Sequence, residues 1–347
     1  GRLVHPNYCH TFKQLFAADT DYSGMRRRRM LRSKKLLDVC FRALQGLPLP
    51  ARPLTTLLIE SIMARILAAE QVVVCGYVWM ANHPHIQLFS LDNSALARFH
   101  GRLKKRLTDF LKRLLGLSHL TLWDSRSSVG EVLDLEAAIG RIVYTFLNPV
   151  RAGLVRSIDD YRGCNTWKEF LTAPADLHAV IEKEVPWILA TDIEKLSKSN
   201  PSWAEEQRII DDLKRKASAR QTHTLRIHPF RWLEAFGIKD PEEIERVRAK
   251  IVALVREGEA QISPDKAPIH RREGFIVTEE YKPPPKERSV FMYGTSVEIR
   301  RLHLAERRRF DKLCRECFEL MKQGAINIPW PPGCFVPPAP QLCNALP

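Results

Sequence analysis

The run Val72-Val73-Val74-Cys75-Gly76-Tyr77-Val78-Trp79-Met80 passes through Ala81-Asn82 into His83-Pro84-His85-Ile86-Gln87-Leu88-Phe89. Its β-branched and aromatic residues suit a pleated surface, so the region from Val72 to Phe89 predicts strand structure. Alternate side chains of a strand share a face, which projects His83 and His85 together. Two neutral imidazoles so placed can hold one divalent ion. An isolated His-x-His is more often polar punctuation on a partly exposed strand, and the pair by itself decides little.

Around this stretch the patterning alternates between strand and helix. Residues 4–16 have the aromatic and β-branched character of a first strand, and 17–24 form an acidic loop. Met25–Leu44 carries an apolar stripe at helical spacing (Met30, Leu31, Leu36, Leu37, Val39, Cys40, Leu44). Prolines within 46–53 end it, and Thr55 or Thr56 caps a second helix over Leu57–Glu70. Asp92 or Asn93 caps a helix over 94–115, Leu120–Trp123 suits a short strand, and 134–155 is helical with Gly153 at its C-terminal end. Residues 1–172 therefore read as one α/β or α+β domain. A mainly helical, basic region follows over 173–347, with helices at about 174–197, 203–219, 241–259 and 296–323. Lys282-Pro283-Pro284-Pro285-Lys286 reads as a linker and 328–338 as a Pro-rich tail.

Charge narrows the partners. The chain holds 54 Lys+Arg against 40 Asp+Glu, a formal net charge of +14, which favours a polyanion. The excess is clustered in Arg26–Arg29 with Arg32, Lys34 and Lys35, in Arg102, Lys104, Lys105, Arg106, Lys112 and Arg113, and in Arg300, Arg301 and Arg307–Arg309. Each block taken alone suits a solvated helix face; three together favour nucleic acid. No apolar run approaches the length of a membrane span, and Gly1-Arg2-Leu3-Val4 lacks a signal-peptide layout. Eight cysteines without such a signal read as reduced thiols, and the expected setting is cytoplasmic, close to the bacterial nucleoid.

The second informative stretch is Tyr144-Thr145-Phe146-Leu147-Asn148-Pro149-Val150-Arg151-Ala152-Gly153-Leu154-Val155. On a helix Tyr144 and Asn148 share a face. Pro149 disfavours helical backbone at Asn148 and predicts a bend or an end there. Met80-x-Asn82-His83-x-His85, Thr121-Leu122-Trp123, the Tyr144–Val155 segment and Asp160-Tyr161 together resemble the REP-associated tyrosine transposases, members of the single-tyrosine HUH (His-hydrophobic-His) superfamily. The resemblance covers about residues 1–170, and the Asn-Pro-Val-Arg-Ala-Gly-Leu-Val string carries most of its specificity. Two positions depart from the family. Ala81 replaces a proline, and Pro84 replaces Val or another apolar residue between the histidines, where it would disturb an internal strand.

The resemblance implies a ferredoxin-like α+β fold, with a central antiparallel sheet flanked by helices. It implies Tyr144 as nucleophile, His83, His85 and Asn148 as metal ligands, Mg²⁺ or Mn²⁺ as cofactor without a nucleotide, and single-stranded or hairpin DNA as partner. Strand cleavage would leave a 5′-phosphotyrosine bond and a free 3′-OH able to reverse it, so joining needs no ATP. Arg26, Arg27, Arg28, Arg29, Lys104, Lys105, Arg106, Lys112, Arg113 and Arg151 become candidate DNA contacts. No membrane partner is expected, and monomer and homodimer stay open. A decayed or repurposed DNA-binding transposase and an HUH replication initiator or relaxase are the alternative readings.

Beyond residue 175 the resemblance gives no guidance. Thr222–Trp232 mixes basic and aromatic residues, and a short strand entering a helix is its expected structure. Cys314-x-x-Cys317 with Cys334 and Cys343 raises zinc, but i,i+3 spacing on a helix and eight residues between the second pair favour core thiols.

Overall fold

The computed structural model describes residues 30, 32–44, 46, 49, 51–114, 116–188, 202–218, 221–262, 290–334 and 336. The strand expected over 4–16, the loop over 17–24, Arg26–Arg29, the linker at 282–286 and Cys343 lie outside these residues. Described residues group into two compact units, one spanning 32–308 and a smaller one from 309–347 with 1–31.

In the larger unit the first element is a strand, β1 (Lys35–Ala43), where a helix is expected from sequence. Six of its nine residues are buried, because β1 lies inside the sheet between β3 (Pro84–Ser90) and β4 (Trp123–Val132). A strand covered on both faces loses its polar alternation, and chance i,i+3 and i,i+4 coincidences then imitate a helix. Helix α1 (Pro53–Leu67) starts two residues before Thr55 and three before Thr56, the proposed caps, with proline at its first turn and no side-chain cap from Arg52. Its free Leu54 N–H is met by Glu206 Oε1 at 2.9 Å, from a helix far along the chain. The predicted strand region divides into a hairpin, β2 (Val72–Trp79) and β3, closed by Met80 N–H donating to His83 O at 2.9 Å.

Helix α2 (Asn93–Leu114) begins where expected, with the Asp92 carboxylate accepting from Ser94 N and Ala95 N. The strand expected at 120–123 instead starts at Trp123 and runs on as β4. These six elements follow a β-α-β-β-α-β order, with their strands arranged β2-β3-β1-β4 and every pairing antiparallel. That is the ferredoxin-like topology.

The sheet continues past residue 172, so the expected domain boundary there does not part the described residues. Ile181–Pro186 forms strand β5 rather than helix, its Ile-Glu-Lys-Glu-Val pattern alternating between half-buried and exposed. It pairs antiparallel with β6 (Thr222–Ile227), and β6 joins β2 in parallel. At the far edge β7 (Met292–Tyr293) joins β4 in parallel. The whole is a seven-stranded mixed sheet around an antiparallel centre.

Helices cover both faces. Leu37, Val39, Phe41, Tyr77, Trp79, Ile86 and Leu88 are buried on the side of α1 and α2, where Tyr77 Oη donates to Glu60 and Phe41 meets the His100 ring. The opposite face carries Asp38, Cys40, Val78, His85, Gln87 and Phe89 under α3 (Leu135–Arg151). Asp134 caps α3 by accepting from Ala137 N. Pro149 does not end the helix, since helical backbone continues to Arg151. Gly153, at φ +70°, then closes it, with Gly153 N donating to Val150 O and Leu154 N to Pro149 O. This is a Schellman ending.

Behind α3, a short α4 (Trp167–Thr172), the 3₁₀ turn Arg231–Phe236 and α6 (Pro241–Gln261) complete the core with Phe170, Phe230, Trp232, Ile244, Ile251 and Val255. Helix α5 (Trp203–Ser218) carries Glu206, and α7 (Val297–Lys322) matches the last predicted helix. In the smaller unit Met30, Phe310 and Cys314 are buried together with Cys334 against them. None of the described helices is long and apolar enough to cross a membrane.

Candidate active site

The candidate site lies between the hairpin β2–β3 and α3. His85 projects from β3 toward α3, opposite Val78 on one neighbour and Cys40 on the other. His83 sits just before the strand, its ring centroid 5.3 Å from that of His85, so the two imidazoles do meet. Pro84 is the first residue of β3, a position where a strand tolerates a missing N–H, and the pairing of β3 with β1 and β2 runs on past it.

Tyr144 reaches the same place from α3. Its ring stands edge-on to His85 at 5.3 Å, with the Arg141 guanidinium 4.3 Å and the Arg151 guanidinium 5.2 Å from its centroid. Asn148 follows one helical turn later and is buried.

Below these groups lies a buried polar network that sequence reasoning missed. Asp38 on β1 is 1% exposed and accepts from Arg141 Nη2 at 2.7 Å and from Gln87 Nε2 at 3.2 Å. Gln87 also donates to Thr145 Oγ1 at 2.6 Å, and Thr145 Oγ1 donates to Arg141 O at 2.9 Å. Burial opposes ionisation of Asp38, but the Arg141 guanidinium, with His85 beside it, holds the carboxyl well below its usual range. Burial likewise opposes the Arg141 charge, and Asp38 more than restores it. A second ring, that of Tyr293 on β7, also lies 4.3 Å from the Arg141 guanidinium. The signals available were an acid inside an apolar strand (Asp38), the i+2 partner of His85 (Gln87) and a basic residue one turn before the tyrosine (Arg141). Nothing local marks Tyr293.

Three features bear on a divalent ion. Burial, the neighbouring His85 and the Arg42 charge push the His83 imidazole down to about 3, leaving it neutral and ligand-competent near pH 7. The buried His85 Nδ1 has no hydrogen-bond partner and stands 3.9 Å from Asp38 Oδ2. The buried Asn148 Nδ2 is also unpartnered, and a half-turn of the amide would present its oxygen instead. The His85 imidazole and the Asn148 amide with unspent polar atoms, beside a His83 ring whose Nδ1 is tied to Asn82 Oδ1 at 2.6 Å, suit a cation of mixed N/O preference. Among the described residues no group of three His, Cys, Asp or Glu is gathered to hold a metal, so such an ion would need Asn148 and further oxygens.

The expected DNA contacts are dispersed. Arg151 is exposed beside Tyr144. The basic block of α2 lies across the sheet from the tyrosine, on the helix packed over Phe41. There Lys104 donates to Asp124 O and Ser127 Oγ and Lys105 pairs with Asp109, whereas Arg106 and Arg113 are exposed. In the smaller unit Cys314 Sγ and Cys334 Sγ are 3.3 Å apart, and Cys317 Sγ faces Pro329 O at 3.5 Å.

Comparison with known proteins gives little to set beside this geometry. No family model matches the chain and no curated protein matches it. Among solved structures, that of a REP-associated tyrosine transposase bound to a REP hairpin aligns with 43% of this chain and 86% of its own, at 15% identity. The TM-score is 0.34, a distant likeness that carries no weight for the site.

Proposed function

We propose that the protein is a metal-dependent single-strand DNA endonuclease and strand transferase that uses Tyr144 as nucleophile. The observation that carries this reading is the meeting, on one sheet face, of Tyr144, His85 and His83 from segments some sixty residues apart, with two guanidiniums around the tyrosine ring. A phosphodiester is anionic and resists attack. Arg151, exposed beside Tyr144, draws that anion toward the phenol, and Arg141 holds the ring in place. His83, His85 and Asn148 would hold a divalent ion, which when bound polarises the scissile phosphate. Tyr144 Oη bonds to phosphorus as the P–O3′ bond breaks. The phenol loses one proton and the departing 3′ oxygen gains one, leaving a 5′-phosphotyrosine and a free 3′-OH. Attack by a 3′-OH runs the same exchange backwards, so joining needs no external energy source.

The test is incubation of the full chain with labelled single-stranded hairpin DNA in Mg²⁺ or Mn²⁺, followed by denaturing electrophoresis. A protein–DNA adduct that survives denaturation is expected, and Tyr144→Phe should abolish it; an adduct persisting in that variant removes Tyr144 from the role. The second reading is a DNA-binding protein without cleavage, favoured by the lack of three strong metal ligands among the described residues. Hairpin binding that ignores chelator, with no adduct in either metal, would decide for it.

A further inference from the structure

We propose that Tyr293, brought to the sheet by β7, fixes the Arg141 guanidinium that orients Tyr144, so that the segment after residue 290 completes the candidate active site. This builds on the reading of Tyr144 as nucleophile. One guanidinium carbon lies 4.3 Å from the centroids of both rings, while its Nη2 is tied to Asp38 at 2.7 Å. A planar cation flanked by two aromatic rings and hydrogen-bonded at its edge has few orientations left. Tyr144 rests on that cation, so freedom gained by Arg141 becomes freedom of the nucleophile. Arg141 acts through the tyrosine and is a positioning residue.

Two further features of the sheet support the relay. A Cβ built at Gly130 on β4 would lie 2.3 Å from Tyr293 Cε2, so the ring occupies the space left by the absent side chain. Gly130 is also the register partner of Asp38, which places Tyr293 over the carboxylate that holds Arg141. The second feature is Asp134. One of its oxygens caps α3 at Ala137 N (2.8 Å) and the other accepts from Thr295 N (2.7 Å). Leu133 N donates to Tyr293 O at 2.8 Å. The start of the nucleophile's helix and the segment bearing Tyr293 thus share one anchor.

The experiment places 3-fluorotyrosine at position 144 of the full chain and compares Tyr293→Leu, Tyr293→Phe and Gly130→Ala. Gly130→Ala displaces the ring without deleting it and guards against a folding defect in Tyr293→Leu. Both of these variants should shift or broaden the fluorine resonance and slow adduct formation about tenfold or more, with hairpin affinity unchanged. Tyr293→Phe keeps the stacked ring but loses the hydroxyl contact with Asp38, and should move the resonance and slow the adduct less than Tyr293→Leu does. A resonance unmoved by Tyr293→Leu and Gly130→Ala overturns the proposal, whatever happens to DNA. A resonance that moves in a parent chain forming no adduct upholds the positioning relay and sinks the nuclease reading instead.

Discussion

Asp38 illustrates how one residue can be held in place by its partners and hold them in turn. A carboxylate 1% exposed is tolerable because Arg141 and Gln87 satisfy it, and either partner alone would leave it short. Asp38→Asn keeps the shape but leaves a buried guanidinium without its counter-charge. Its expected cost is about 3 kcal/mol, the low end for a broken buried pair, because the Arg141 side chain remains 16% exposed. A urea titration giving less than about 1 kcal/mol would show the pair to be replaceable. His83, His85, Tyr144 and Asn148 were legible because each sits in a short local pattern. The pairing of Asp38 with Arg141 was not, since each leaves only a faint local signal and residues 103 apart meet only when the chain brings β1 under α3.

At the scale of elements, apolar periodicity served the amphipathic helices and failed the buried strands. Helices α2, α3, α5, α6 and α7 present one face to the core and one to water, so their spacing could be read directly. β1 is covered on both faces and imitated a helix; β5, at the sheet edge, alternates clearly but over only six residues. The turns between elements are pinned by charge. Asp159, in the 3₁₀ turn Ile158–Asp160, accepts from Trp167 Nε1 on α4 at 2.7 Å and pairs with Arg256 on α6 at 2.6 Å. Burial raises its carboxyl, but the Trp167 and Arg256 bonds outweigh it and the net direction is down. A carboxyl lowered by folding contributes stability above its unfolded value, about 3.9, and loses it as pH falls toward the folded value. Asp159→Asn should therefore cost under about 1 kcal/mol at pH 7, given its half-exposed side chain, and less near pH 2. Equal destabilisation by the substitution at both pH values would contradict this.

For the whole molecule, the ferredoxin-like centre is covered by later parts of the chain. β6 covers the β2 edge, and Phe230, Trp232, Ile244, Ile251 and Val255 cover the outer side of α3, all from beyond residue 172. A chain ending at 172 would expose that apolar surface and an unpaired strand edge. It should aggregate or melt without a cooperative transition by circular dichroism, and a sharp reversible melt would mean that the centre folds alone. The sequence by itself determined the amphipathic helices α2, α3, α5, α6 and α7, that His83 and His85 lie side by side, and that Tyr144 and Asn148 lie one turn apart, because each depends on neighbours a few residues away. Only the tertiary structure decided that β1 is a strand, that Pro84 falls at a strand's first position, and that Asp38, Arg141 and Tyr293 converge beside the tyrosine. These depend on burial and on partners distant in sequence, which periodicity does not encode.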